Sequence, residues 1–349
     1  MTIHPRGSLS RRDILRLAGA LTTVAVASAC GGTEPTGAAS TRDASPSLLA
    51  AKGEPLTKAT VSAGSTSVNH MWARWGITHG IYKKFGLDVE AVDGIADAVA
   101  AMASGQLQFS AAGVQTHSGA VRGAPVRAVM LTFRDNLGLY TTKGISSLRD
   151  LAGKRVFGPN DMIKEILRRA GVDPDKGVTW VQTQANTKQI IQLVQNGQAD
   201  GFTGYPPAKL LAEDAGMREI TSVSAKFPGS PVSIVGTPDQ LISDNPLLVK
   251  RFLAGTLETL DHMLAHEDEV LAFFHDEWGF DDELARGCWD VVQHDMIKGG
   301  KSDDKSLQVV LDVTKAAQGK KDDIPLDRVW DFSLLDQVVA ERAKGYKTS

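Results

Sequence analysis

Two cysteines, eight histidines and a set of polar side chains at predicted strand ends are the residues of this 349-residue chain whose types and spacing suit chemistry. Cys30 ends the run Val24-Ala25-Val26-Ala27-Ser28-Ala29 and is followed by Gly31-Gly32. A charged start, a short apolar stretch and small residues before a cysteine describe an export signal over residues 1–29, cut at that cysteine. Diacylglycerol on the thiol and an acyl chain on the new amine would anchor the protein stably, where one chain is marginal. Ser10-Arg11-Arg12-Asp13-Ile14-Leu15-Arg16 reads as a twin-arginine motif, the export route of folded cargo. Leu17 to Ala29 falls short of the ~20 apolar residues of a spanning helix, so a transmembrane anchor is not expected. Ala27 stands where a lipobox more often has Leu, and cleavage without lipidation would release a secreted or periplasmic protein instead.

The other chemistry-bearing residues argue against catalysis. Cys288, between Gly287 and Trp289, has no second body cysteine to pair with and reads as a buried structural thiol. His262 and His266 have the i, i+4 spacing of metal ligands but sit among Asp261, Glu267, Asp268 and Glu269, which reads as a solvated helix face; no metal is expected. No P-loop, Rossmann glycine pattern, HExxH or nucleophile elbow is present, so no cofactor and no enzyme activity are expected. The formal charge is −3, and removal of a signal with four arginines and one aspartate leaves a body near −6. Such a body lacks the basic face that nucleic-acid binding requires.

The elements that must position these residues alternate. Residues 30–57 are rich in Gly, Ala, Ser, Thr and Pro and read as a flexible stalk. Lys58–Ala63 is strand-like, and Met71, Trp75, Ile77 and Ile81 recur at near-helical spacing from about Val68 to Phe85. Strands at 87–92, 107–112 and 127–132 then alternate with helices, which argues for an α/β domain with a mostly parallel sheet. The pattern restarts at Ser146, with strands at 154–158, 178–182 and 201–203 between helices. After a strand at 232–236 the chain is helical to its end, over about 245–267, 269–278, 281–295, 306–319 and 334–344. Two α/β lobes with a cleft between them are expected.

Several stretches carry a family resemblance. Gly80-Ile81-Tyr82-Lys83-Lys84-Phe85-Gly86-Leu87-Asp88-Val89-Glu90, then Ala103-Ser104-Gly105-Gln106-Leu107, Asp150-Leu151-Ala152-Gly153-Lys154-Arg155-Val156, Gly197-Gln198-Ala199-Asp200-Gly201 and Asn245-Pro246-Leu247-Leu248 occur in order. Together they resemble the NMT1/THI5-like solute-binding proteins of the sulfonate, nitrate and thiamine-precursor type, over about residues 58 to 280. The resemblance implies a type II periplasmic-binding-protein fold, with lobe one formed by 58–143 plus 236–349 and lobe two by 144–235, closing by a hinge. It also implies the substrate-binding subunit of an ABC importer, held at the membrane by its lipid and partnered by a permease and its ATPase. A monomer is expected. The alternatives are a pyrimidine-synthase-like enzyme of the same fold, whose cysteine-rich motif this chain lacks, and a ligand sensor for a membrane receptor.

In open α/β sheets ligands bind beyond the carboxyl ends of strands, at helix N-termini. That rule selects Ser65, Thr66, Asn69 and His70 after the first strand, Gly94 and Asp97 after the second, and Gly113, Gln115 and Thr116 after the third. Arg134 and Asp135 follow the fourth strand, and lobe two offers Asn160, Asn186, Thr187 and Tyr205. Each polar member has a second use: Ser65, Asp93 or Thr116 as a helix cap, Asp97 as a first-turn charge. Asn69-His70 matches a pair found in thiamine-precursor binders, without the aromatic residue that precedes it there. Trp72, Trp75 and Tyr205 are candidates for stacking on a flat ring, with burial the expected fate of Trp75.

Overall fold

The structure, a computed structural model, describes residues 47–63, 68–183 and 185–346. The expected signal, Cys30 and most of the expected stalk lie outside the described residues. The last part of that stalk does not: Leu48 is fully buried, Ala50 N–H donates to the Lys84 carbonyl at 3.0 Å, and Arg251 holds both Glu54 and the Ser47 carbonyl. Residues 47–57 are therefore part of the body, because one apolar side chain and one ion pair give them something to bury.

The body then runs through β1 (Thr57–Ser62), α1 (Met71–Thr78), β2 (Leu87–Val92), α2 (Ala98–Ala103), β3 (Phe109–Ala112), α3 (Gly113–Arg122) and β4 (Val126–Arg134). The single helix expected over 68–85 is broken. A 3-10 turn at Val68–His70 leads into α1, and a second at Ile81–Phe85 follows Gly80, whose φ of 64° no helix accepts. Next come β5 (Gly138–Thr141), β6 (Lys154–Phe157), α4 (Asp161–Arg169), β7 (Val178–Val181), α5 (Thr187–Gln195), β8 (Gly201–Gly204), α6 (Ala208–Asp214), β9 (Arg218–Ser222) and α7 (Val223–Lys226). β10 (Pro231–Pro238), α8 (Asp239–Asp244), α9 (Pro246–Ala265), α10 (Glu267–Trp278), α11 (Asp282–Asp295), α12 (Asp304–Ala317) and α13 (Ser333–Ala343) complete the chain.

These strands form two five-stranded sheets, β2-β1-β3-β10-β4 and β7-β6-β8-β5-β9. Each is parallel except for one inserted strand, β10 in the first and β5 in the second. The chain crosses between sheets after Arg134 and again before Pro231, so Gly138–Thr141 belongs with the second sheet and the start of β10 with the first. Both crossings lie several residues earlier than the expected 143 and 235. The crossing segments run side by side, with Asp135 N–H donating to the Ser230 carbonyl at 2.7 Å.

The first sheet buries its face against α9, whose Asn245 cap and Pro246 start the helix cleanly. Phe252 of α9 stacks on Phe109 of β3 with ring centroids 3.8 Å apart. The helix α12 packs against both α3 and α4, and its Leu307, Val310 and Leu311 join one apolar cluster that draws on both sheets. The sheets thus share a core behind the cleft.

Candidate functional site

The order of strands reverses between β1 and β3 in the first sheet and between β6 and β8 in the second, and ligands of open α/β sheets bind at such points. Beyond the ends of β3 and β6 lies an interlobe cavity of about 150 Å³. Val114, His117 and Ser118 of α3 face Asp161 and Met162 of α4 and its cap Asn160 across it; Asp135 comes from the first crossing, Pro231 opens β10, and Val310, Val313 and Thr314 of α12 close the back. A wider space of about 310 Å³ lies on the other side of the crossing, between Asn136, Pro206 and Lys209 and the α11 residues Asp290, His294 and Asp295.

Between these two spaces sits a buried polar cluster. Asn69 and Asn136 exchange amide hydrogen bonds of 3.2 and 3.3 Å. Asn136 also bonds the carboxyl group of Asp295, the last residue of α11. Asp135 is only 3% exposed and accepts Leu137 N–H at 3.1 Å. Burial pushes its carboxyl up to about 7 against that bond, with the charge of Asp295 adding to the rise. Burial likewise raises Asp295, while Asn136, His294 and Arg134 work against it. Tyr205, just beyond β8, packs against the apolar clusters of both sheets, and burial together with the charge of Asp135 keeps its phenol protonated. Burial lowers both His70 and His117 to about 4, so each imidazole is neutral at ordinary pH.

The structure divides the expected site residues. Ser65 and Thr66 lie outside the described residues. Asn69, His70 and Tyr205 gather at the crossings, where the Nδ1 of His70 is buried without a partner. Asn160 lines the cavity while its Oδ1 caps α4 through Met162 N–H and Ile163 N–H at 2.9 and 3.2 Å. The others are occupied elsewhere. Gly113 is glycine because a Cβ would meet the Val232 carbonyl oxygen at 2.2 Å, so it sets the approach of α3 to β10. Thr116 is fully buried and donates to the Ala112 carbonyl, and Gln115 accepts Ala98 N–H at the start of α2. Arg134 donates to the His294 carbonyl at 3.1 Å, which ties β4 to the end of α11. Asp97 caps α2, Asn186 forms a capping box with Gln189, Thr187 opens α5, and Gly94 is exposed on the loop after the edge strand β2. Trp72 is no stacking platform: it is fully buried, edge-on to Phe252, and its indole N–H donates to Ser233 Oγ. Trp75 is buried as expected and donates to His262 Nδ1 at 3.2 Å, while His262 stacks on His266. That pair is thus partly folded into the core, not a wholly solvated face.

Asn136, Asp295 and His117 were not selected by strand-end reasoning. His117 had a signal, since it shares a helical face with Val114 and Ser118. Asp295 had none, because its place depends on how α11 returns to the crossing.

The sequence profile described as NMT1/THI5 like matches residues 67–270, more than half of the chain. The chain belongs to this family. No curated protein matches it by sequence. Among solved structures, a putative periplasmic sulfonate-binding protein of an ABC transporter from Methylobacillus flagellatus superposes with a TM-score of 0.64 at 16% identity, covering 83% of this chain and 96% of its own. The periplasmic nitrate-binding protein of Synechocystis gives 0.61 at 14% identity, covering 84% and 92%. The desulfurization enzyme DSZB also gives 0.61, at 13% identity, covering 82% and 99%. This member of the NMT1/THI5-like family therefore has the two-lobed fold of periplasmic binding proteins, a fold also used by an enzyme.

Proposed function

We propose that this family member is the extracytoplasmic solute-binding subunit of an ABC importer, which captures a small organic molecule or anion between its lobes and delivers it to a membrane permease served by an ATPase. The observation that carries this reading is an interlobe cavity near the strand-order reversals, walled by α3 of one lobe, the start of α4 of the other, and the ends of the two adjacent crossings. Family membership supports it, as do the sulfonate- and nitrate-binding relatives of the same fold. Against catalysis stands Cys288, which is fully buried with its thiol pushed up to about 12 by burial, far from the low-pKa state of a nucleophile. A lipid tether through Cys30 would keep the monomeric binder near its permease.

The test is a thermal-denaturation screen of the full chain against small solutes, followed by mass spectrometry of the recovered ligand. A true solute at 100 times its Kd adds about 2.7 kcal/mol to stability. It should also come back chemically unchanged. Conversion of the ligand, or no stabilising solute at all, refutes the reading. For the tether, Cys30→Ala should move the protein from the membrane to the soluble fraction with ligand affinity intact.

A further inference from the structure

The wall of the interlobe cavity has a chemical bias. Among the described residues no Lys or Arg lines it, whereas Asp135 and Asp161 do. Arg134, the residue before Asp135, is turned to the His294 carbonyl, and Lys209 lines the space on the other side of the crossing. Two of the amides that open α4, those of Met162 and Ile163, are already taken by Asn160. His117 supplies the second observation. It is 7% exposed, lines the cavity, touches the ring of Trp330 and makes no hydrogen bond among the described residues. An imidazole at the wall with no protein partner leaves its ring nitrogens for a molecule in the cavity. Behind the wall, Ser230 is 1% exposed and its hydroxyl is also without a partner.

We infer that this cavity takes a compact organic base, a molecule of about one ring that presents a donor nitrogen to Asp135 and His117, and not an oxyanion. The inference rests on the solute-binding reading and narrows it. Size follows from the volume, since a cavity of about 150 Å³ holds a benzene ring. Charge follows from the wall: it offers an oxyanion no cation, whereas a protonated nitrogen draws the Asp135 carboxyl into its ionised form and gains a charge-assisted bond shielded from water. Val114, Met162, Val310 and Val313 offer apolar contact for the ring. The first turn of α3, which no side chain caps, remains for an acceptor group on the same molecule.

Calorimetric titration of the full chain with 4-aminopyridine, benzylamine, imidazole and guanidine, against benzenesulfonate, nitrate and neutral toluene, tests this. At least one base should bind, toluene and the oxyanions should not, and Asp135→Asn should weaken the base by about 10- to 100-fold. His117→Phe should weaken it too, and both variants should keep the wild-type circular dichroism. Oxyanion binding that Asp135→Asn leaves unchanged or tightens overturns the inference while solute capture stands. If none of the bases binds and another solute from the screen does, the charge assignment falls alone. Silence from every solute removes both.

Discussion

At the scale of single residues, buried carboxyl groups and buried imidazoles make opposite demands. The carboxyl of Asp135 sits near 7 in the folded protein and near 3.9 when unfolded, so the folded state holds its proton longer. Its contribution favours folding below about pH 4 and is lost as pH rises toward 7. Asp295 acts in the same sense, Tyr205 stays protonated throughout, and His70 and His117 act oppositely because their lowered values cost stability as pH falls below about 6.5. The difference between Asp135→Asn and wild type isolates the one group. Urea unfolding should show the variant gaining on wild type from pH 4 to 7, with a ceiling of about 4 kcal/mol. A flat difference would mean that Asp135 is ionised and well solvated. Cys288 makes a simpler prediction: native protein treated with iodoacetamide at pH 8 should yield an unlabelled Cys288 peptide, while the urea-unfolded chain should be labelled there. Labelling of the native thiol would reopen the catalytic reading.

At the scale of elements, the polar residues beyond strand ends largely serve the helices that follow. Asp97, Asn160 and Asn186 satisfy the first amides of α2, α4 and α5, which is the local work that Asp and Asn do best. Gly113 serves a contact between elements. Gly113→Ala would drive a methyl into the Val232 carbonyl and force α3 off β10, at a cost of about 1 to 3 kcal/mol in chemical denaturation. Most helices and the long parallel strands were readable from periodicity and glycine stops, and α9 to α13 were placed to within a few residues. The strands β5 and β9 were not. Gly138–Thr141 is four residues long and finds its strand character by pairing antiparallel to both β8 and β9. Arg218–Ser222 is a partly exposed edge strand whose partner is β5 alone, and β5, though buried throughout, is too short to show the run that marks a central parallel strand.

At the scale of the whole molecule, the question is what holds the lobes at their present distance. Tyr205 touches the apolar clusters of both sheets, and α12 packs on both α3 and α4. Tyr205→Ala should therefore loosen the lobes, seen as a larger radius of gyration in small-angle scattering and a weaker ligand affinity. Tyr205→Phe, which keeps the ring, should preserve the radius. An unchanged radius in Tyr205→Ala would assign the closure to α12 and the crossings.

The sequence by itself determined the alternation of strands and helices, the family and the absence of enzyme motifs, because periodicity, caps and glycine stops are local properties of the chain. It also pointed to the strand ends as the place of the site. Only the tertiary structure decided which strand-end residues face the interlobe space. Asp135 and His117 converge there because two crossings, α3 and α12 meet at one point, whereas Arg134 and Gln115 are taken by partners distant in sequence and Thr116 by the Ala112 carbonyl one turn back. A polar residue at a strand end shows where it stands. Whether its polar atom is free depends on partners that only the folded chain brings near.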